Sequence, residues 1–122
     1  MEDILQTNPD VDAVFAANDQ MALGAIQAID AHKKTDQIKL IGFDGALEAT
    51  QHILAGDMYA TIAQDPYGMA KVGVEEALKE LEGKKVDKAV NTGAKLITPE
   101  NARDYFEEVR EKLGGTGRGL DR

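Results

Sequence analysis

The chain has 122 residues, 43% hydrophobic and 30% charged, with a formal net charge of −8, the profile of one globular domain with a modest core. The acidic balance argues against nucleic acid as a partner, because neutralising phosphates takes a basic surface, and against an anionic membrane surface. No apolar run approaches the roughly 20 residues that span a bilayer, so no membrane insertion is expected, and the absence of cysteine removes disulfides and thiolate chemistry.

Met1 leads straight into an acidic, helix-like start without a signal-peptide pattern. Residues 2–6 read as the last turns of a helix, and Asn8-Pro9-Asp10 as a turn in which Pro fixes φ. Residues 13–17 form a short, wholly apolar run, the pattern of a strand buried on both faces of a parallel sheet. Asn18 or Asp19 can cap the helix that follows over 20–31. Its polar stripe is so narrow that most of the helix is expected to be buried.

Residues 32–37 are a charged loop, 38–43 a second strand, and Asp44-Gly45 its end. A helix over 46–55 should stop at Gly56. The third strand spans 58–64 and Asp65-Pro66 terminates it. The next helix, from 66 or 67 to 82, has an apolar face of Ala70, Val74, Ala77, Leu78 and Leu81 opposite a charged row of Lys71, Glu75 and Lys79. After a polar connection come a short strand over 94–97 and a helix start at Thr98-Pro99-Glu100, with Thr as N-cap and Pro at N1. The last helix buries Ala102, Tyr105, Phe106, Val109 and Leu113. The Gly-rich residues 114–122 read as a disordered tail. Strands alternating with helices give an α/β fold, an open, mainly parallel sheet with helices on its faces.

Such sheets bind ligands at the carboxyl ends of their strands, and here the first strands end in Asn18, Asp44 and Gln64. The amides of Asn18 and Gln64 can both donate to and accept from a hydroxyl. The Asp44 carboxylate can accept from two adjacent hydroxyls, and Phe43 can stack on the apolar face of a sugar ring. Each has an ordinary alternative: a helix cap for Asn18, a turn residue for Asp44, a solvated strand end for Gln64, core packing for Phe43. A phosphate would call for Lys or Arg instead. The acidic residues do not match a calcium loop, and His32 and His52 stand apart in polar surroundings, so neither a metal nor another cofactor is expected. With no nucleophile–base pair and no phosphate-binding or nucleophile-elbow motif, binding is favoured over catalysis.

At these residues the chain resembles periplasmic sugar-binding proteins of the ribose-binding type. AVFAANDQMALGAIQAI, LIGFDG, GDMYATIAQDP and KLITPEN are similar to segments of that family's carboxyl-terminal lobe, in order and spacing. AANDQMALGA and GFDG are shared with the effector domains of LacI-type regulators, which form the alternative reading, as does a ligand-free self-associating α/β domain. The resemblance implies that Asn18, Asp44 and Gln64 bond sugar hydroxyls and that Phe43 lines the pocket. It also implies a monosaccharide ligand, an ABC transporter permease as the parent's partner, and a periplasmic or extracellular location. The family's chains are longer, within the usual size of two domains, so residues 1–113 are expected to be an incomplete carboxyl-terminal lobe carrying half a site. An unpaired sheet edge and an uncovered helix face would then favour self-association.

Overall fold

The computed structural model describes residues 1–114. In chain order the elements are α1 (Glu2–Thr7), β1 (Ala13–Phe15), α2 (Asp19–Ala31), β2 (Lys39–Asp44), α3 (Leu47–Ala55), β3 (Ala60–Ala63), α4 (Pro66–Leu81), β4 (Lys95–Ile97) and α5 (Ala102–Lys112). The chain divides into two compact units: Met1–Ala63 with Leu96 onward, and Gln64–Lys95.

The strands form an open sheet in the order β1-β2-β3-β4. β1, β2 and β3 are parallel, with Val14 opposite Leu40 and Gly42 opposite Thr61. Each crossover between them is a helix, as parallel neighbours require. α2 packs on β2, α3 on β3, and α5 on α3. This puts Leu40, Ala22, Ala25, Ile29, Ala49, Ile53, Ile97 and Tyr105 into one core. The pleat sends alternate residues to opposite faces. Leu40 and Gly42 are accordingly buried, while Ile41, Phe43 and Ile62 are half-buried.

β1 departs from the sequence expectation. It is an edge strand of only Ala13–Phe15, and Phe15 is 62% exposed. A wholly apolar run fits an edge facing an uncovered surface as well as a strand buried on both faces, and periodicity does not separate them. α2 is likewise one-sided: Ala22, Ala25, Ala28 and Ile29 are buried, whereas Met21 is exposed. The last helix begins at Ala102 with Asn101 as N-cap, three residues after the expected N-cap Thr98. Asn101 accounts for the shift. Its Oδ1 accepts from the Thr98 amide at 2.9 Å and its Nδ2 donates to the Leu96 carbonyl at 3.0 Å, closing a separate turn ahead of the helix. Leu113, expected in the buried stripe, is exposed. Gly56 ends α3 at φ 94, as expected of a glycine placed there for its left-handed freedom.

In the second unit, Asp65 caps α4 by accepting from the Gly68 amide at 3.0 Å, and Pro66 opens the helix. None of the α4 residues is buried, so its expected apolar face is solvent-exposed. Lys79 pairs with Glu76 at 2.5 Å rather than joining a Glu75 row. Glu76 also accepts from the Asp87 amide at 3.2 Å, tying the helix to the connection that follows it. Of the expected tail, 114–122, Gly114 is described as a turn residue and residues 115–122 lie outside those described.

Candidate functional site

Parallel strands joined by helices present all their carboxyl ends on one edge. β1 and β2 are adjacent and parallel, so Asn18, three residues past Phe15, and Asp44, the last residue of β2, lie on that edge. Asn18 is the N-cap of α2: its Oδ1 accepts from the Met21 amide at 2.8 Å, in extended backbone at φ −153. This fixes the orientation of the side-chain amide, because the oxygen is committed to the helix. The Nδ2 group, which has no partner among the described residues, is left to donate outward. Asp44 is exposed and has φ 120. Phe43 sits one residue inside the strand, half-buried, on the sheet face opposite Gly42. Gln64 directly follows the last residue of β3 and is the first residue of the second unit.

Beneath this edge is a buried polar cluster. Asp19 is 1% exposed and both of its carboxyl oxygens accept: Oδ2 from the Ala46 amide and Oδ1 from the Thr61 hydroxyl, each at 2.7 Å. Burial of an acid is tolerable only with such partners. The Thr61 hydroxyl also lies 3.4 Å from the Gly45 amide, and the Tyr105 hydroxyl donates to the Gly45 carbonyl at 2.8 Å. Among the described residues every buried side-chain polar atom is partnered.

Two glycines make the cluster possible. A Cβ on Gly42 would lie 2.1 Å from Asp19 Oδ1. One on Gly45, itself at φ 77, would lie 2.5 Å from both the Ala63 Cβ and the Tyr105 hydroxyl. Sequence reasoning missed this layer. Its signals were a hydroxyl inside the apolar strand ATIA and an acid opening an apolar helix. A separate open depression of about 460 Å³, lined by residues 7–11, belongs to the amino-terminal side of β1, away from the candidate edge. No three His, Cys, Asp or Glu side chains among the described residues come together to hold a metal ion.

A family model described as a periplasmic binding protein domain matches residues 1–85. The chain belongs to that family. Ribose import binding protein RbsB of Bacillus subtilis (strain 168) is 46% identical over 98 residues, a stretch covering 80% of this chain and 32% of the relative. Among solved structures, a periplasmic solute binding protein of an ABC transporter from Actinobacillus succinogenes 130z, with bound D-allose, superposes with a TM-score of 0.79. It is 29% identical, over 85% of this chain and 37% of the other. A carbohydrate transporter solute binding protein from Agrobacterium radiobacter, in complex with D-arabinose, gives a TM-score of 0.76 at 38% identity, over 88% of this chain and 36% of that one. The matched stretch thus spans about a third of the length of the curated relatives. The strand-end edge over the Asp19 cluster lies at the position where open α/β sheets in general take ligands.

Proposed function

We propose that the chain belongs to the solute-binding component of a sugar ABC transporter and is a binder, not an enzyme. Its strand-end edge supplies part of a monosaccharide site. Asn18 and Asp44 bond sugar hydroxyls, Gln64 is the third hydroxyl partner that the family resemblance assigns, and Phe43 lines the pocket. The observation that carries this is the chemistry of the edge. A cap-oriented amide and an exposed carboxyl stand at the ends of adjacent parallel strands, and neither segment 16–20 nor 43–47 contains Lys or Arg. Such an edge suits neutral hydroxyls and disfavours phosphate. Relatives named for ribose and allose, and solved structures holding D-allose and D-arabinose, support the same ligand class. The corresponding location is periplasmic or extracellular, and the transporter permease is the partner of the whole protein.

Small-molecule sites bury most of their ligand, and a single open rim leaves the sugar hydroxyls competing with water. We therefore expect weak affinity, with a dissociation constant of about 1 mM or above, corresponding to roughly −4 kcal/mol. Titration of the chain with D-ribose, D-allose and D-arabinose, followed by saturation-transfer NMR and calorimetry, tests this. Millimolar saturable binding is expected. Micromolar affinity would contradict the partial-site reading, and no binding of any pentose or hexose would contradict the saccharide reading. We also propose that the chain self-associates through its uncovered apolar surfaces.

A further inference from the structure

We propose that Asp19, Thr61 and Tyr105 form a clamp that holds Asp44 in a backbone conformation an aspartate does not adopt unaided, which makes Asp19 a positioning residue for the binding edge. This rests on the sugar reading above for the role of Asp44 itself. The starting observation is φ 120 at Asp44, followed by φ 77 at Gly45. Gly45 is the residue type for such a turn. Asp44 is not, because an L side chain at that φ clashes with its own backbone. Residues in such regions persist only when their surroundings over-determine them, and they cluster at ligand clamps.

The surroundings here meet that condition. The backbone groups immediately after Asp44 are each engaged by a side chain from a different element. The Gly45 amide lies against the Thr61 hydroxyl of β3, the Gly45 carbonyl accepts from Tyr105 of α5, and the Ala46 amide donates to Asp19 of α2. These three side chains are 0%, 8% and 1% exposed. Ala46, the N-cap of α3, has only a methyl side chain and makes no capping hydrogen bond. On the upstream side, Asp44 is held in register opposite Ala63. A glycine at position 44 would meet the same backbone demand without strain. An aspartate at this position is therefore kept at a conformational cost that glycine would not carry, and the clamp offsets that cost.

The test is a double-mutant cycle on folding, read by urea denaturation without ligand. Asp44→Gly and Asp44→Ala both remove the carboxyl, but only glycine accepts φ 120. We expect the glycine variant to have a folded-to-unfolded ratio about fivefold higher than the alanine variant. Asp19→Asn keeps the shape but places an NH2 group against one of its two donors. It should lower the ratio about tenfold in the Asp44→Gly background and at least threefold less with Asp44 present, because relaxation of the strained aspartate recovers part of the loss and a glycine has no strain to release. A buried acid that merely stabilises the core would cost the same in both backgrounds. Where Asp19→Asn does not fold, Tyr105→Phe, which removes one hydroxyl, carries the same cycle. The three-bond HN–Hα coupling of Asp44, read by NMR in wild type and in Tyr105→Phe, should change as φ relaxes.

Additive cycles, or equal stabilities for the glycine and alanine variants, overturn the clamp whatever the sugar titration gives. A coupled cycle upholds it even if the titration is blank, in which case the saccharide reading alone falls.

Discussion

Gly42 and Gly24 separate two reasons for a glycine in this chain. At Gly42 an added Cβ meets Asp19 Oδ1 at 2.1 Å, whereas at Gly24, inside α2, it meets nothing within 4 Å. Gly42→Ala should therefore destabilise by about 1–3 kcal/mol through overpacking, and Gly24→Ala should stabilise by about 0.5–1 kcal/mol through helix propensity. Denaturant midpoints of the two variants check this; a neutral Gly42→Ala would show that Asp19 is not where the structure places it. Asn18 separates capping from recognition in the same way. Asn18→Ser retains a cap of similar strength, and Asn18→Ala loses about 1 kcal/mol. If the amide nitrogen serves a ligand, the serine variant keeps its stability while its sugar affinity falls. Equal affinity in wild type and Asn18→Ser would remove Asn18 from the site. The strand-end positions of Asn18, Asp44 and Gln64 were legible because polar types are conspicuous against apolar strands. Asp19, Thr61 and Tyr105 were not, because their work is done across 27 and 42 residues of chain, from Asp19 to Ala46 and Thr61, and across 60 from Tyr105 to Gly45. No local pattern encodes such separations.

α4 shows how far local rules carry an element. Its start at Asp65-Pro66 and its length were readable from cap and periodicity. Its environment was not, because an amphipathic pattern states which face can be buried and not what buries it. The polar side does have a definite device. Hydrogen bonds from the Lys79 ammonium and then from the Asp87 amide hold the Glu76 carboxyl below the ordinary carboxylate range, and the Glu76 partner raises Lys79. For Glu76, a lowered value means the contribution exists above the ordinary carboxyl range and is lost as pH falls through the lowered one. For Lys79, a raised value means the contribution exists below the ordinary lysine range and is lost as pH rises through the raised one. The pair is thus in place across neutral pH and released at both extremes. An NMR titration should show the Glu76 carboxyl midpoint moving up in Lys79→Gln and the Asp87 amide shift following it. An unchanged midpoint would break this account. Because the Lys79 ammonium is exposed and Glu76 is only half-buried, global stability should barely respond.

At the scale of the molecule, exposed apolar surface and net charge oppose each other. Phe15 on edge strand β1, and Val74, Leu78 and Leu81 on α4, are all more than half exposed, a surface that water disfavours. The formal charge of −8 repels a second copy, and salt screens that repulsion within about 10 Å at 0.1 M. Self-association should therefore rise with ionic strength, as read by size-exclusion chromatography with light scattering, and Leu78→Glu should weaken it. A monomer at all salt concentrations would contradict it. The parallel sheet and the family were readable from strand–helix alternation and the AANDQMALGA and GFDG segments. The exposure of Phe15 on edge strand β1 was not, because apolar strands read alike whether or not helices cover them.

The account turns on the strand-end edge being where a monosaccharide binds. A two-dimensional NMR titration with D-ribose measures this directly at millimolar affinity. The account predicts saturable shifts at the Met21 amide, which bonds the Asn18 side chain, and at the Gly45 and Ala46 amides, which directly follow Asp44 in the chain, lost in Asp44→Asn and absent at residues 7–11. Shifts confined to residues 7–11, or unchanged by Asp44→Asn, would contradict it.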